Sequence, residues 1–215
     1  EIVGLAGVSG NGQRELAEPI NGLRHTESRR IVLHGNEIQN LSPHDVIASG
    51  MGYIPEERNT EGIVPSFSIM ENLVLKDIST EKFSDKGIVK KKEEEANAER
   101  LVEGFDIRCP GIMTAAGSLS GGNIQKVILA RELDRKPRFL VAVYPTRGLD
   151  MGAVEFIHQR LLEIRASGIG ILLISEELEE IMNLSDRIAV IYKGTVQKVL
   201  RQDEATKERL GILMA

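Results

Sequence analysis

A single cysteine, Cys109, stands in a chain of 215 residues. One thiol excludes an internal disulfide and fits a reducing compartment. It precedes Pro110 with no His or Cys nearby, so it is read as packing filler and not as a metal ligand or nucleophile. A basic excess is also lacking: 27 Lys and Arg against 32 Asp and Glu leave a formal net charge of −5, which argues against a nucleic-acid partner. No apolar run approaches the ~20 residues that a membrane-spanning helix needs. No signal peptide is visible, and no repeat or low-complexity linker interrupts the chain. A starting methionine is lacking too. The chain opens at Glu1 directly into an apolar strand, which predicts a domain cut from a longer polypeptide. What is present, 41% hydrophobic and 27% charged residues, is the balance of a soluble globular domain with a sizeable core.

The hydrophobic pattern is of α/β type. Ile2 to Ala6 is a short apolar run; a glycine loop follows it, and then a helix predicted from Gln13 to Asn21. "RRIVLHG" and "GMGYIP" predict further short strands. Between Glu57 and Ala116 the pattern becomes helical, with "SIMENLVL" and the polar "KKKEEEANAERLVEGF", whose i,i+4 Lys–Glu pairs mark Lys90–Glu95 as a solvated face. "RFLVAV" and "GIGILLIS" are then continuous apolar runs, as parallel strands buried on both faces require. A helix is predicted between them, from Val154 to Ala166. "RIAVIYKGTVQKV" predicts a hairpin turning at Lys193-Gly194, and "DEATKERLGILMA" a terminal helix. The fold class expected is a doubly wound, mainly parallel α/β sheet. One domain is expected, with residues 1–56 and 117–215 as its core and 57–116 as an inserted helical subdomain.

"GVSGNGQREL" has the glycine spacing of a phosphate-binding loop, G-x-x-x-x-G-K-[ST], with Gly7 and Gly12 in place. Such a cradle needs glycines so that successive N–H groups turn inward, and a following helix to offer its positive end. Gly7, Gly10, Asn11 and Gly12 supply the loop, but Gln13 stands where the lysine belongs and Arg14 where a Mg²⁺-binding hydroxyl belongs. Taken alone, a bare glycine pattern is as well explained by chance. The octapeptide "LSGGNIQK", Leu119 to Lys126, opens a helical pattern with Ser120, Gly121 and Gly122, and such a helix start presents unpaired N–H groups to an anion.

That octapeptide resembles the signature motif of ABC-type ATPases, and the motifs after it fall in the family's order over essentially the whole chain. Phe139–Val143 matches the Walker B strand, Pro145–Asp150 the Pro-x-x-x-L-D loop, Ile171–Ser175 the strand before the switch histidine, and "GYIPEER" the Q-loop. "GNGQ", "PTRGLDMGAVEFIH" and "EELEEIMNLSDRIAVIYKG" are similar to the second, C-terminal ATPase domain of double-domain importers for nucleosides and simple sugars. The resemblance implies a P-loop NTPase fold without its N-terminal strands, an ATP (or ADP) site at Gly7–Arg14, and a signature (Ser120, Gly121, Gly122, Gln125) serving ATP held by a partner domain. No catalytic position is intact. The Walker B Asp is Val143, the catalytic Glu is Tyr144, the switch histidine is Glu176 and the Q-loop glutamine is Glu56. Phosphoryl transfer relies on metal and cation clamps around the developing charge, so the loop's own site is expected to be degenerate, with weak Mg²⁺ dependence and no metal ligand set.

Rewiring is a second possibility: Arg14 restores a cation one position along, and Glu176 follows a strand as a candidate base. Two further readings therefore stay open, a self-sufficient ATPase with a Gln/Arg/Glu site and a soluble, non-transport ABC protein. The partners that the resemblance implies are an ABC ATPase domain paired head to tail, expected in the same polypeptide, transmembrane permease subunits, and indirectly an extracytoplasmic substrate-binding protein. The location implied is the cytoplasmic face of the membrane, peripherally. Residues 57–116 would dock the permease near Ile63 and Phe67.

Overall fold

A computed structural model describes residues 1–27 and 30–214. It divides into two compact units. The first comprises residues 1–53, 137–145 and 158–215; the second comprises residues 54–136 and 146–157.

The first unit carries a six-stranded sheet. Its strands are β1 (Ile2–Ala6), β4 (Met51–Ile54), β7 (Phe139–Val143), β8 (Gly170–Ser175), β9 (Arg187–Tyr192) and β10 (Thr195–Arg201), in the order β10-β9-β1-β8-β7-β4. The pairs β1–β8, β1–β9 and β7–β8 are parallel, with Leu5 opposite Ile174 and Ala142 opposite Leu173. The continuous apolar runs of β7 and β8 are the reason: both faces of these strands are covered, so alternation would bury polar groups. Leu5, Ala17, Met51, Val141, Val143, Tyr144, Ile174, Ala189 and Ile191 form one buried cluster. A Cβ on Gly4 would collide with Ile181 of the adjoining helix α7 (Leu178–Leu184) and with Ser185 just beyond its end, so glycine there lets helix and strand approach.

β10 pairs antiparallel with β9. It turns back from β9 through Lys193 (φ 47°) and Gly194 (φ 74°), the two left-handed residues of a type I′ turn, at the position expected. The expected helix after the glycine loop is α1, Gln13–Ile20. "RRIVLHG" is less regular than predicted. Only β2 (Val32–Leu33) is laddered, against β3 (Asn36–Glu37) in a hairpin of its own, because His34 and Gly35 both turn left-handed; Arg29 lies outside the described residues. α2, Pro43–Ala48, follows, capped by Ser42 with proline in its first turn. The terminal helix is α8, Lys207–Leu213, with Ala215 outside the described residues.

The second unit is mainly helical. It contains a π-helical turn (Arg58–Gly62), α3 (Ile69–Val74), a two-residue hairpin of β5 (Ser84–Asp85) and β6 (Ile88–Val89), α4 (Lys91–Gly104) and α5 (Gly121–Asp134). α3 starts in a capping box: the Ser68 hydroxyl accepts the Glu71 N–H, and the Glu71 carboxylate accepts the Ser68 N–H at 2.8 Å. α5 groups with the middle segment and not with the sheet. An ionic network ties it there. Arg131 donates to Gly62 O at 2.8 Å, to Asn72 O at 3.4 Å and through Nε to Glu132 at 3.0 Å, while Lys76 reaches Glu132 at 2.7 Å. The helix expected to begin at Val154 begins earlier. α6 is Met151–Ala166, because the Asp150 carboxylate accepts the Ala153 N–H at 3.0 Å and holds the first turn.

Candidate functional site: a glycine loop and a capped signature helix

The loop from Gly7 to Gly12 leads from β1 into α1. Gly10 (φ 87°) and Gly12 (φ 107°) take backbone angles that other residues rarely adopt. A Cβ on Gly7 would lie 2.8 Å from Gln13 Nε2 and 2.9 Å from Ile191 O, so this glycine makes room for the Gln13 side chain. That side chain is 3% exposed. Its Oε1 accepts the Asn11 N–H at 3.0 Å, and its Nε2 donates to the Val8 carbonyl at 3.0 Å. Asn11 adds a second brace: its side chain donates to Val8 O at 2.9 Å and accepts the Lys193 N–H at 2.9 Å, while its carbonyl accepts the Gly194 N–H at 2.8 Å. The loop is thus bonded within itself and to the β9–β10 turn.

Arg14 pairs along the helix with Glu18, Nε to Oε1 at 2.6 Å, and Arg24 holds the other oxygen of Glu18 at 2.6 Å. The Arg14 hydrogen bond is the main reason that the Glu18 carboxyl sits below its ordinary range. At the end of β7, Val143 and Tyr144 are 2% and 7% exposed and belong to the apolar cluster. Tyr144 has φ 46°, and its N–H donates to Ile174 O at 2.8 Å. A left-handed aromatic residue is a strained conformation held by its packing. No carboxylate stands at these two positions. Glu176 is exposed just beyond β8, where the Ser175 hydroxyl accepts the Glu177 N–H at 3.0 Å.

In the second unit Glu56 accepts from Arg147 Nη1 at 2.7 Å. Arg58 donates to the Arg147 carbonyl, and burial pushes its guanidinium below the ordinary value. This clasp holds the Pro145–Asp150 loop residue Arg147 to the Q-loop position. Ser120 caps α5, and its hydroxyl accepts from Asn123 Nδ2 at 2.9 Å. Ser120 and Gly121 are exposed, whereas Gly122 is buried and a Cβ there would lie 3.0 Å from the Ala153 Cβ. Gln125 is 2% exposed. Beside this helix start lies a cavity of about 310 Å³ that the sequence did not reveal, lined among others by Asp106, Arg108, Asn123, Asp150 and Phe156. In its wall Lys126 donates to the Asp106 carbonyl and carboxylate at 2.7 and 2.8 Å and lies 4.5 Å over the Phe156 ring. The Lys126 hydrogen bond holds the Asp106 carboxyl below its ordinary value.

A mainly parallel sheet, a glycine loop feeding a helix, and a helical unit with a Ser-Gly-Gly helix start define a P-loop ATP-binding cassette fold. The chain belongs to the ABC transporter family, whose profile matches residues 1–146. It is 50% identical over 215 residues to the guanosine import ATP-binding protein NupO of Bacillus subtilis, covering all of this chain and 42% of that protein. It is 46% identical over 216 residues to the glucose import ATP-binding protein TsgD13 of Haloferax volcanii, covering all of this chain and 39% of that protein. The chain therefore spans about two-fifths of the length of these relatives. The solved ATP-binding cassette MJ1267 of an ABC transporter superposes with a TM-score of 0.82 at 22% identity, over all of this chain and 88% of that one, and shares its fold.

Proposed function

We propose that this chain is the second ATP-binding domain of a double-domain importer for nucleosides or simple sugars, with a degenerate site of its own and an intact signature that completes its partner's site. The observation that carries the reading is the end of β7: Val143 and Tyr144 are packed into the apolar core where the resemblance puts the metal-supporting and water-orienting carboxylates. A phenol with pKa about 10 is a poor base at neutral pH. Arg14 and Val143 also offer no oxygen ligand, so the residues present do not fit Mg²⁺. The loop glycines fit a phosphate chain, and ATP or ADP is the ligand that the family implies. Exposed Ser120 and Gly121 at the start of the 14-residue helix α5 suit an anion presented by another domain. Gln125, buried, would act by holding that helix start and not by touching the nucleotide.

In this reading the two ATPase domains pair head to tail, in one polypeptide, at the cytoplasmic face of the membrane. Residues 57–116 form the subdomain that receives a permease, with half-exposed Phe67 on its surface. A substrate-binding protein outside the membrane acts only through the permease. No helix among the described residues is long and apolar enough to cross a membrane. The deciding experiment is steady-state ATP hydrolysis by the purified domain. The expected rate is far below the ~1 s⁻¹ that opens the usual enzyme range, and turnover at or above that rate would favour the self-sufficient ATPase instead.

A further inference from the structure

We infer that Gln13 is a built-in occupant of the phosphate loop, setting its nucleotide affinity by filling one of the loop's own anion-binding positions. The inference rests on the phosphate-loop reading above and deepens it. A cradle binds phosphate by turning backbone N–H groups toward one point. In this loop the Asn11 N–H is already taken by the Gln13 amide oxygen at 3.0 Å, a neutral acceptor where a phosphate oxygen would otherwise sit. The other end of the same amide is anchored on Val8 O at 3.0 Å, so the carboxamide bridges the two sides of the loop. Because the side chain is 3% exposed, water does not compete for these bonds. Room for it exists because residue 7 has no side chain, a Cβ there lying 2.8 Å from the Gln13 nitrogen. A lysine has three donors and no acceptor. It would leave the Asn11 N–H to the ligand, whereas glutamine supplies an acceptor and takes it.

The loop therefore keeps its folded shape without nucleotide, and a nucleotide must displace an internal hydrogen bond to use the full cradle. Site-resolved amide hydrogen exchange on the full-length polypeptide tests this, since peptides covering residues 8–14 report this loop alone. Gln13→Met keeps the volume and removes both bonds; Gln13→Ala is the second variant, and unchanged exchange in β8 shows that the fold is kept. Without nucleotide, the Asn11 amide is expected to exchange at least about ten-fold faster in Gln13→Met than in the parent, the worth of one hydrogen bond. On titration with ATP, the variant loop should become protected at a concentration about ten-fold lower than the parent loop. Equal exchange at Asn11 in both forms, or an equal or higher ATP midpoint in both variants, overturns the inference. Absence of ATP protection in every form overturns the phosphate-loop reading itself, and the competition falls with it.

Discussion

Glu132 offers a stringent test of how the signature helix is held. It is 0% exposed and accepts from Arg131 Nε at 3.0 Å and from Lys76 Nζ at 2.7 Å. Burial pushes the Lys76 ammonium below its ordinary value, with the Glu132 charge opposing that shift. In Glu132→Gln one carboxamide position becomes a donor facing a cation that is itself a donor, and the negative charge that compensates two buried cations is gone. Arg131 keeps its bonds to Gly62 O and Asn72 O, so the loss falls mostly on Lys76. Breaking a buried pair from one side costs about 3–5 kcal/mol, against a total domain stability of about 5–15 kcal/mol. Urea unfolding should show that loss as a lower midpoint at unchanged slope. The double variant Lys76→Met, Glu132→Leu should recover the Lys76 part of it, because the apolar pair removes the desolvation penalties of those two groups, while Arg131 retains its carbonyl bonds but not its carboxylate partner. A loss below about 1 kcal/mol for Glu132→Gln, or a double variant worse than the sum of the singles, would refute the argument that this pair is a desolvated network.

On the importer reading proposed above, Gly122→Val in the whole assembly should cut ATP-driven uptake in vesicles by about a hundred-fold or more, the usual worth of a misplaced backbone donor. The added carbon also presses on Ala153, so Ala153→Gly is combined with it; uptake restored by that relief would show the defect to be packing alone. Calorimetric titration of ATP with and without chelator should give nearly equal affinities at this loop, and a large loss in chelator would contradict the assignment of Arg14 and Val143. The Glu71 carboxyl is held below its ordinary 4.5 by the Ser68 hydroxyl and N–H, so its contribution is complete above that pH and is lost as pH falls through the depressed value. Glu71→Gln should therefore flatten the acid limb of the stability profile, and Ser68→Ala should cost about 1 kcal/mol at neutral pH. An unchanged acid limb would exclude the capping box as a pH-dependent contributor.

β7 and β8 were legible because they are unbroken apolar runs, and the Lys193-Gly194 turn because of its glycine between two strand patterns. α2 was legible as well, from Ser42 and Pro43, yet was not read out of "LSPHD". "RRIVLHG" has the composition of a longer strand than β2, whose turn at His34-Gly35 leaves two ladder residues. At the candidate site the residue identities were readable but their directions were not. Gln13 as a missing cation is visible in one dimension; Gln13 as an acceptor for Asn11 depends on how the loop closes. Arg14 and Glu18 stand i,i+4, so their pairing was open to inspection. Gln125 is grouped by the linear signature with residues that would serve a partner's ATP, whereas in the folded helix it is buried.

The bonds from Asn11 to Lys193 and Gly194 join segments more than 180 residues apart. They place a limit on which changes in chain length the protein tolerates. A hairpin tip is ordinarily where insertions are absorbed at little cost. Here a single residue added between Lys193 and Gly194 would displace both N–H groups that hold Asn11, and the disturbance would be felt at Val8 and Gln13 instead of fading into solvent. The length of this turn is consequently bound to the glycine loop: peptide tags, loop grafts and circular-permutation breakpoints belong at Lys86-Gly87, where a Cβ on the glycine meets nothing within 4 Å, and not at the tip of the β9–β10 hairpin.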